Sequence, residues 1–154
     1  MDNRHRPEPM DCTARSPPRV LTEEQKEALI QKATRALTAR PEVGFAYLYG
    51  SFLEARPCRD IDIGIFCLEQ YAAANTLLLA AEIADAVEQE VRMPVDIRIV
   101  NHAPDTFLFS VIRGRRLLHD RIPERREQLV EDVIRRYLDI QPILAHAARE
   151  AFVR

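Results

Sequence analysis

Two aspartates one residue apart, Asp60 and Asp62, sit in the run Arg59-Asp60-Ile61-Asp62-Ile63-Gly64-Ile65-Phe66. Ile61, Ile63 and Ile65 alternate with Asp60, Asp62 and Gly64, which reads as a strand Asp60–Phe66 with both carboxylates on one face. Strands disfavour Asp, and two unit charges about 4 Å apart repel by roughly 4 kcal/mol at an effective dielectric near 20. That placement points to a bound cation, and an all-oxygen donor set suits a hard ion, Mg²⁺ or Mn²⁺. Asp96 lies in a second alternating run, Val95–Val100, opposite Val95, Ile97 and Ile99. If that strand neighbours the first, three carboxylates share a face and suffice for two divalent ions and in-line phosphoryl chemistry. Gly50-Ser51 supplies the phosphate end. Glycine lets backbone approach closely, and serine adds a hydroxyl and an N–H to a turn entering a short helix.

Singly these signals are weak. An isolated Asp-x-Asp is more often a solvated strand face, and Gly-Ser after a strand is usually a turn. The ordered set of strand, Gly-Ser, short connection, Asp-x-Asp strand, helix and Asp-bearing strand is far more specific.

The elements that must position these groups follow from periodicity. Thr22 and Gln25 have capping-box spacing, and Glu23 and Glu24 suit the positive end of a helix. Leu29, Ile30, Ala33 and Leu37 form its apolar stripe, and Pro41 stops it by Arg40. Val43–Tyr49 is a strand, and Phe52–Arg59 is a connection containing Pro57. Leu68–Val91 reads as one long Ala-rich helix with Leu77, Ala80, Ala84, Val87 and Val91 facing the core. A short helix spans Asp105–Ile112 and ends at Gly114, and Arg116–Leu118 is a short fourth strand. Pro123 opens the last long helix, with Leu129, Val130, Val133, Ile134, Tyr137 and Leu138 at helical spacing, and Pro142 interrupts or restarts it. The order predicts an α+β domain over residues 22–154, a small mixed sheet with helices packed mainly on one face, the one lined by Ile61, Ile63 and Ile65. Residues 1–21 hold four of the ten prolines without apolar period and read as a disordered or loosely attached tail.

Composition bounds the function. One hundred and fifty-four residues, 47% hydrophobic and 30% charged, fit a single globular domain that needs no cross-links. A net charge of −2 argues against general nucleic-acid coating. Cys12, Cys58 and Cys67 are odd in number and form no CxxC, which argues against a zinc cluster or disulfide framework and makes a reducing cytoplasm the expected setting. Tyr71–Val87 is too polar to span a membrane, and the N-terminal residues carry charge where a signal peptide carries an apolar core.

Other charged and polar residues carry less. Arg56 and Arg59 flank the loop, as phosphate contacts or solvated arginines with equal weight. Asp105 is placed as the cap of the helix it begins. Arg113–Arg126 holds six arginines against Asp120 and Glu124, a balance of +4, without the aromatic interleaving that RNA binding favours. His5, His102, His119 and His146 lack ligand spacing. Nothing beside Cys58 would activate it as a nucleophile. Tyr47, Tyr71 and Tyr137 are expected in the core.

Gly50-Ser51, eight intervening residues, Asp60-Ile61-Asp62 and the later Asp96 together resemble the minimal nucleotidyltransferase (MNT) family of the DNA polymerase β-like superfamily. Asn101-His102-Ala103-Pro104, Val111–Leu118 with Gly114, and Tyr137-Leu138-Asp139 extend the resemblance over roughly residues 22–144. The resemblance implies transfer of AMP from ATP with two Mg²⁺ ions. Asp60 and Asp62 would bind metal, Asp96 would complete the site and help deprotonate the attacking hydroxyl, and Gly50 and Ser51 would hold the β/γ-phosphates. Several members are antitoxins that add AMP to a tyrosine of a HEPN-domain ribonuclease toxin, so such a toxin is the expected partner, in a complex with this chain. The sequence departs from the family pattern in a loop shorter by a couple of residues and in Ala55, where glycine is frequent. Two other readings compete, a non-catalytic antitoxin that sequesters its partner and a small-molecule nucleotidyltransferase of the aminoglycoside type. The intact aspartate set disfavours the first, and the absence of extra walls after the final helix disfavours the second.

Overall fold

The computed structural model describes residues 17–72, 75–114 and 116–151. Most of the expected tail, and Cys12, lie outside them. Residues 17–21 run along the body, where Arg19 and Cys58 exchange backbone hydrogen bonds of 2.7 and 3.0 Å.

Helix α1 spans Glu23–Thr38 and begins with the capping box read from the sequence. Gln25 N–H donates to Thr22 Oγ1 at 3.1 Å, and Thr22 N–H donates to Gln25 Oε1 at 2.9 Å. Strand β1 is Val43–Tyr49, β2 is Ile61–Cys67, α2 is Glu69–Ala72, α3 is Thr76–Val91 and β3 is Val95–Ile99. Helix α4 (Asp105–Arg113), strand β4 (Arg116–Asp120) and helix α5 (Pro123–Ala151) complete the chain. The sheet order is β3-β2-β1-β4. β1 pairs antiparallel with both β2 and β4, while β2 and β3 run parallel, joined by α3 as a crossover. The fold is α+β with a mixed sheet.

Ile61, Ile63 and Ile65 are buried against Ile30, Ala33 and Leu37 of α1 and Leu79, Ile83 and Val87 of α3. The expected helical layer is therefore in place. The expectation that helices cover mainly this face needs correction. α4 and α5 cover the inner part of the other face through Leu108, Val111, Ile112 and Val133, which pack on Phe45, Tyr47 and Phe66. The cause is β1, a central strand whose side chains are apolar on both faces, so both must be covered. Gly64 fits the same arrangement, since a Cβ there would lie 3.0 Å from Val111.

Two helix expectations also change. Leu68–Val91 is not one helix. Asn75 caps α3 by accepting from the Leu77 and Leu78 N–H groups at 3.2 Å each, so the helical phase restarts there. The core stripe becomes Leu79, Ile83, Val87 and Val91, and Leu77 is 81% exposed. α5 runs through Pro142 without a break. Leu138, Asp139 and residues 141–151 are exposed, so water can serve the carbonyl that the proline leaves unpaired. Among the described residues no helix is long and apolar enough to cross a membrane.

Candidate active site

Strand register builds the site. Tyr49 of β1 stands opposite Asp62 of β2, and Asp62 stands beside Asp96 of β3. The three form one row across the sheet, on the face that α4 and α5 cover further in. Asp62 and Asp96 are partly buried at the outer end of that face. Asp60 lies in the bend immediately before β2, one residue earlier than its expected place in the strand.

The electrostatics show what this row lacks. The Asp62 carboxyl is pushed up to about 6, first by burial and then by the neighbouring carboxylates of Asp60 and Asp96, with Arg98 opposing. Burial and Asp62 push the Tyr49 phenol up to about 12, so it stays protonated. Its ring meets Phe107 edge-on at 5.9 Å, and the Arg98 guanidinium lies 5.6 Å from the same Phe107 ring. Arg98 also donates to Asp96 Oδ2 at 3.3 Å. Among the described residues no three His, Cys, Asp or Glu side chains form a closed ligand set for one ion. The register thus puts Asp62 beside Asp96, with Asp60 near enough to act on Asp62, while the Asp96 carboxylate is turned to Arg98.

The donor chemistry nevertheless suits a hard divalent cation. The groups are carboxylate oxygens, they raise one another's affinity for positive charge, and one half-buried member resists ionising without it. Gly50 adds a second sign. Its φ is +79°, and a Cβ at this position would collide with the Asp62 carboxylate. Only glycine lets the loop close over that oxygen.

The loop itself is held from below. Ser51–Leu53 form a single 3-10 turn whose Phe52 is fully buried. Lys26 of α1 is 6% exposed. Its Nζ donates to the Glu54 carbonyl at 2.6 Å and lies 5.9 Å from the Phe52 ring centroid. The bridge between Arg19 and Cys58 holds the far end of the loop. Arg56 pairs with Glu54 rather than standing free. Beside Gly50 opens a cleft of about 620 Å³, lined by Tyr49, Gly50 and Glu54 on the loop side and by Phe109, Arg113 and Tyr137 on the helix side.

Several sequence assignments shift. Asp105 sits in the first turn of α4, after Pro104, and binds Arg136 of α5 through two hydrogen bonds of 2.8 and 2.9 Å. Tyr47 is buried as expected, but Tyr137 is only partly buried, stacks flat on Phe109 at 3.7 Å and lines the cleft. Cys58 is buried, and burial pushes its thiol up, away from nucleophilic use. Sequence reading missed Lys26, Tyr49, Arg98 and Arg113. Lys26 carried a signal, since it falls on the same stripe as Ile30, Ala33 and Leu37. Tyr49 and Arg98 become legible only once the register is known.

Solved structures share this fold. A chain from the complex of tri-AMPylated Shewanella oneidensis HEPN toxin with MNT antitoxin matches at TM-score 0.64 and 18% identity, over 83% of this chain and 99% of that one. A chain from a toxin–antitoxin structure with AMP-PNP matches at TM-score 0.64 and 19% identity, over 80% and 98%. A chain from the toxin–antitoxin MntA–HepT matches at TM-score 0.59 and 17% identity, over 86% and 100%. No curated protein matches the sequence. The family model described as "Polymerase beta, Nucleotidyltransferase" matches residues 31–124, more than half of the chain, and contains Gly50, Ser51, Asp60, Asp62 and Asp96. The chain belongs to the polymerase β-type nucleotidyltransferase family.

Proposed function

We propose that this protein transfers AMP from ATP to a tyrosine hydroxyl of a HEPN ribonuclease toxin and thereby acts as its antitoxin. The observation that carries the reading is the Tyr49–Asp62–Asp96 row, with Asp60 beside it and the Gly50 turn closed over Asp62. Asp60 and Asp62 are the residues that would hold divalent ions, Mg²⁺ or Mn²⁺, with Asp96 completing the set once it leaves Arg98. Ions there supply neutralisation of the triphosphate and of the charge that develops at phosphorus.

The chain's own groups do the rest. Gly50 and Ser51 present backbone N–H groups and a hydroxyl to the β/γ-phosphates, on a turn that Phe52 and Lys26 keep rigid. The acceptor oxygen forms a bond to the α-phosphorus, the α–β bridging bond breaks, and pyrophosphate leaves. Asp96 takes the proton of the acceptor hydroxyl. A protein acceptor suits the surface, because α5 exposes Ile134, Leu138, Ile143 and Leu144 beyond the cleft-lining Tyr137. The MNT antitoxin in complex with AMPylated HEPN toxin and the toxin–antitoxin structure with AMP-PNP support the same reading.

One observation favours a second reading. The pairing of Asp96 with Arg98 leaves the carboxylates short of a closed ligand set, as a vestigial site in a sequestering antitoxin would be. Neutralisation of the toxin at well below equal stoichiometry distinguishes the two. Wild type should neutralise catalytically and Asp62→Asn should not. Equal neutralisation by both proteins, at equal stoichiometry only, would establish sequestration.

A further inference from the structure

We infer that Arg113 is the phosphate-gripping cation of the cleft, binding the polyphosphate tail of the nucleotide from the helix side; this rests on the nucleotidyl-transfer reading above. A nucleoside triphosphate entering beside Asp62 brings several negative charges toward three carboxylates and Glu54. On the loop side Arg56 is paired with Glu54, and neither it nor Arg59 lines the cleft. On the helix side Arg113 is the one cation among the described residues that line the cleft.

Other described arginines of these elements are already engaged. Arg116 makes two hydrogen bonds of 2.6 and 2.8 Å to Glu27, Arg126 holds Asp120 at 2.6 Å, and Arg136 holds Asp105. Arg113 has no ion pair or hydrogen bond to any described residue and is exposed at the last turn of α4. Gly114, next to it, would meet nothing within 4 Å if it carried a Cβ, so the wall stays open around the guanidinium. Of the described arginines in the basic run 113–126, Arg113 is therefore the member left free at the cleft. A guanidinium matches phosphate oxygens in geometry as well as charge. A last-turn arginine also favours its helix end, but that role is indifferent to how many phosphates the ligand carries.

The test uses the full chain with MgCl₂ and titrates AMP-PNP and AMP into wild type, Arg113→Ala and Arg113→Lys, with thermal melts as a check on folding. Arg113→Ala should weaken AMP-PNP binding about tenfold, as expected for loss of one charge-assisted contact, and leave AMP binding unchanged. Arg113→Lys should recover part of the loss and keep the same discrimination. Unchanged AMP-PNP binding in Arg113→Ala, or equal losses for AMP-PNP and AMP, would overturn the assignment while leaving the nucleotidyl-transfer reading intact. A wild-type protein that binds neither nucleotide would overturn both.

Discussion

Asp62→Asn should stabilise the metal-free protein while removing its response to divalent ions. Asp62 is raised from an ordinary 3.8 to about 6 by burial and by Asp60 and Asp96. A carboxyl raised in this way contributes stability that is fully present below its unfolded pKa and lost as pH rises through the folded one. Stability of the wild type in chelator should therefore fall between about pH 4 and pH 6 from this group. Two units at about 1.36 kcal/mol each set an upper bound near 3 kcal/mol. Solvent screening of a half-exposed carboxylate reduces that to about 1 kcal/mol. In a domain of this size, about 1 kcal/mol moves the melting temperature by roughly 2–4 °C. Melts from pH 5 to pH 8 in chelator should show the Asp62→Asn variant above wild type by that amount at pH 8, with a flatter pH profile. Adding Mg²⁺ or Mn²⁺ should raise wild type and leave the variant nearly unmoved. A variant that melts below wild type at pH 8 without metal, with the same slope and the same gain from metal, would refute the carboxylate-repulsion account.

Three further outcomes follow from the same geometry. Gly50→Ala combines a left-handed backbone with a clash against the Asp62 carboxylate, so it should cost about 1–3 kcal/mol of stability in denaturant melts and abolish measurable AMP-PNP binding. Lys26→Met keeps the buried stem but removes the donor to the Glu54 carbonyl; the chain should fold, lose about 1–2 kcal/mol, and show a raised KM for ATP with kcat nearly unchanged. Cys58 and Cys67 are both buried, with the Cys67 thiol pushed up to about 11, so native protein at pH 7.5 should leave both unalkylated by iodoacetamide until it is unfolded.

The residues that could do chemistry were legible because their signals are local. Strand parity exposes Asp62 and Asp96 as the polar side of apolar strands, and Gly50-Ser51 marks the end of one. Their mutual placement is not local. That Asp62 lies beside Asp96 and opposite Tyr49 depends on which strands pair, and in what register. The second covered face was missed for a related reason, since an all-apolar strand such as Val43–Tyr49 does not say what covers each side. Leu77 was misplaced because an Ala-rich stretch accepts more than one helical phase, and Asn75 selects the phase that buries Leu79 and Ile83. Arg98 was passed over because an exposed arginine on a strand carries no signal until its neighbours are known.

The central claim is that this site moves a nucleotide rather than merely binding a partner. The most direct measurement supplies the partner toxin with ATP and Mg²⁺, using ATP labelled at either the α- or the γ-phosphate. The account predicts that α-label, and not γ-label, becomes covalently attached to the toxin, that pyrophosphate is released in equal amount, and that Asp62→Asn abolishes both. Transfer of γ-label, or toxin neutralised with no label attached, would contradict it.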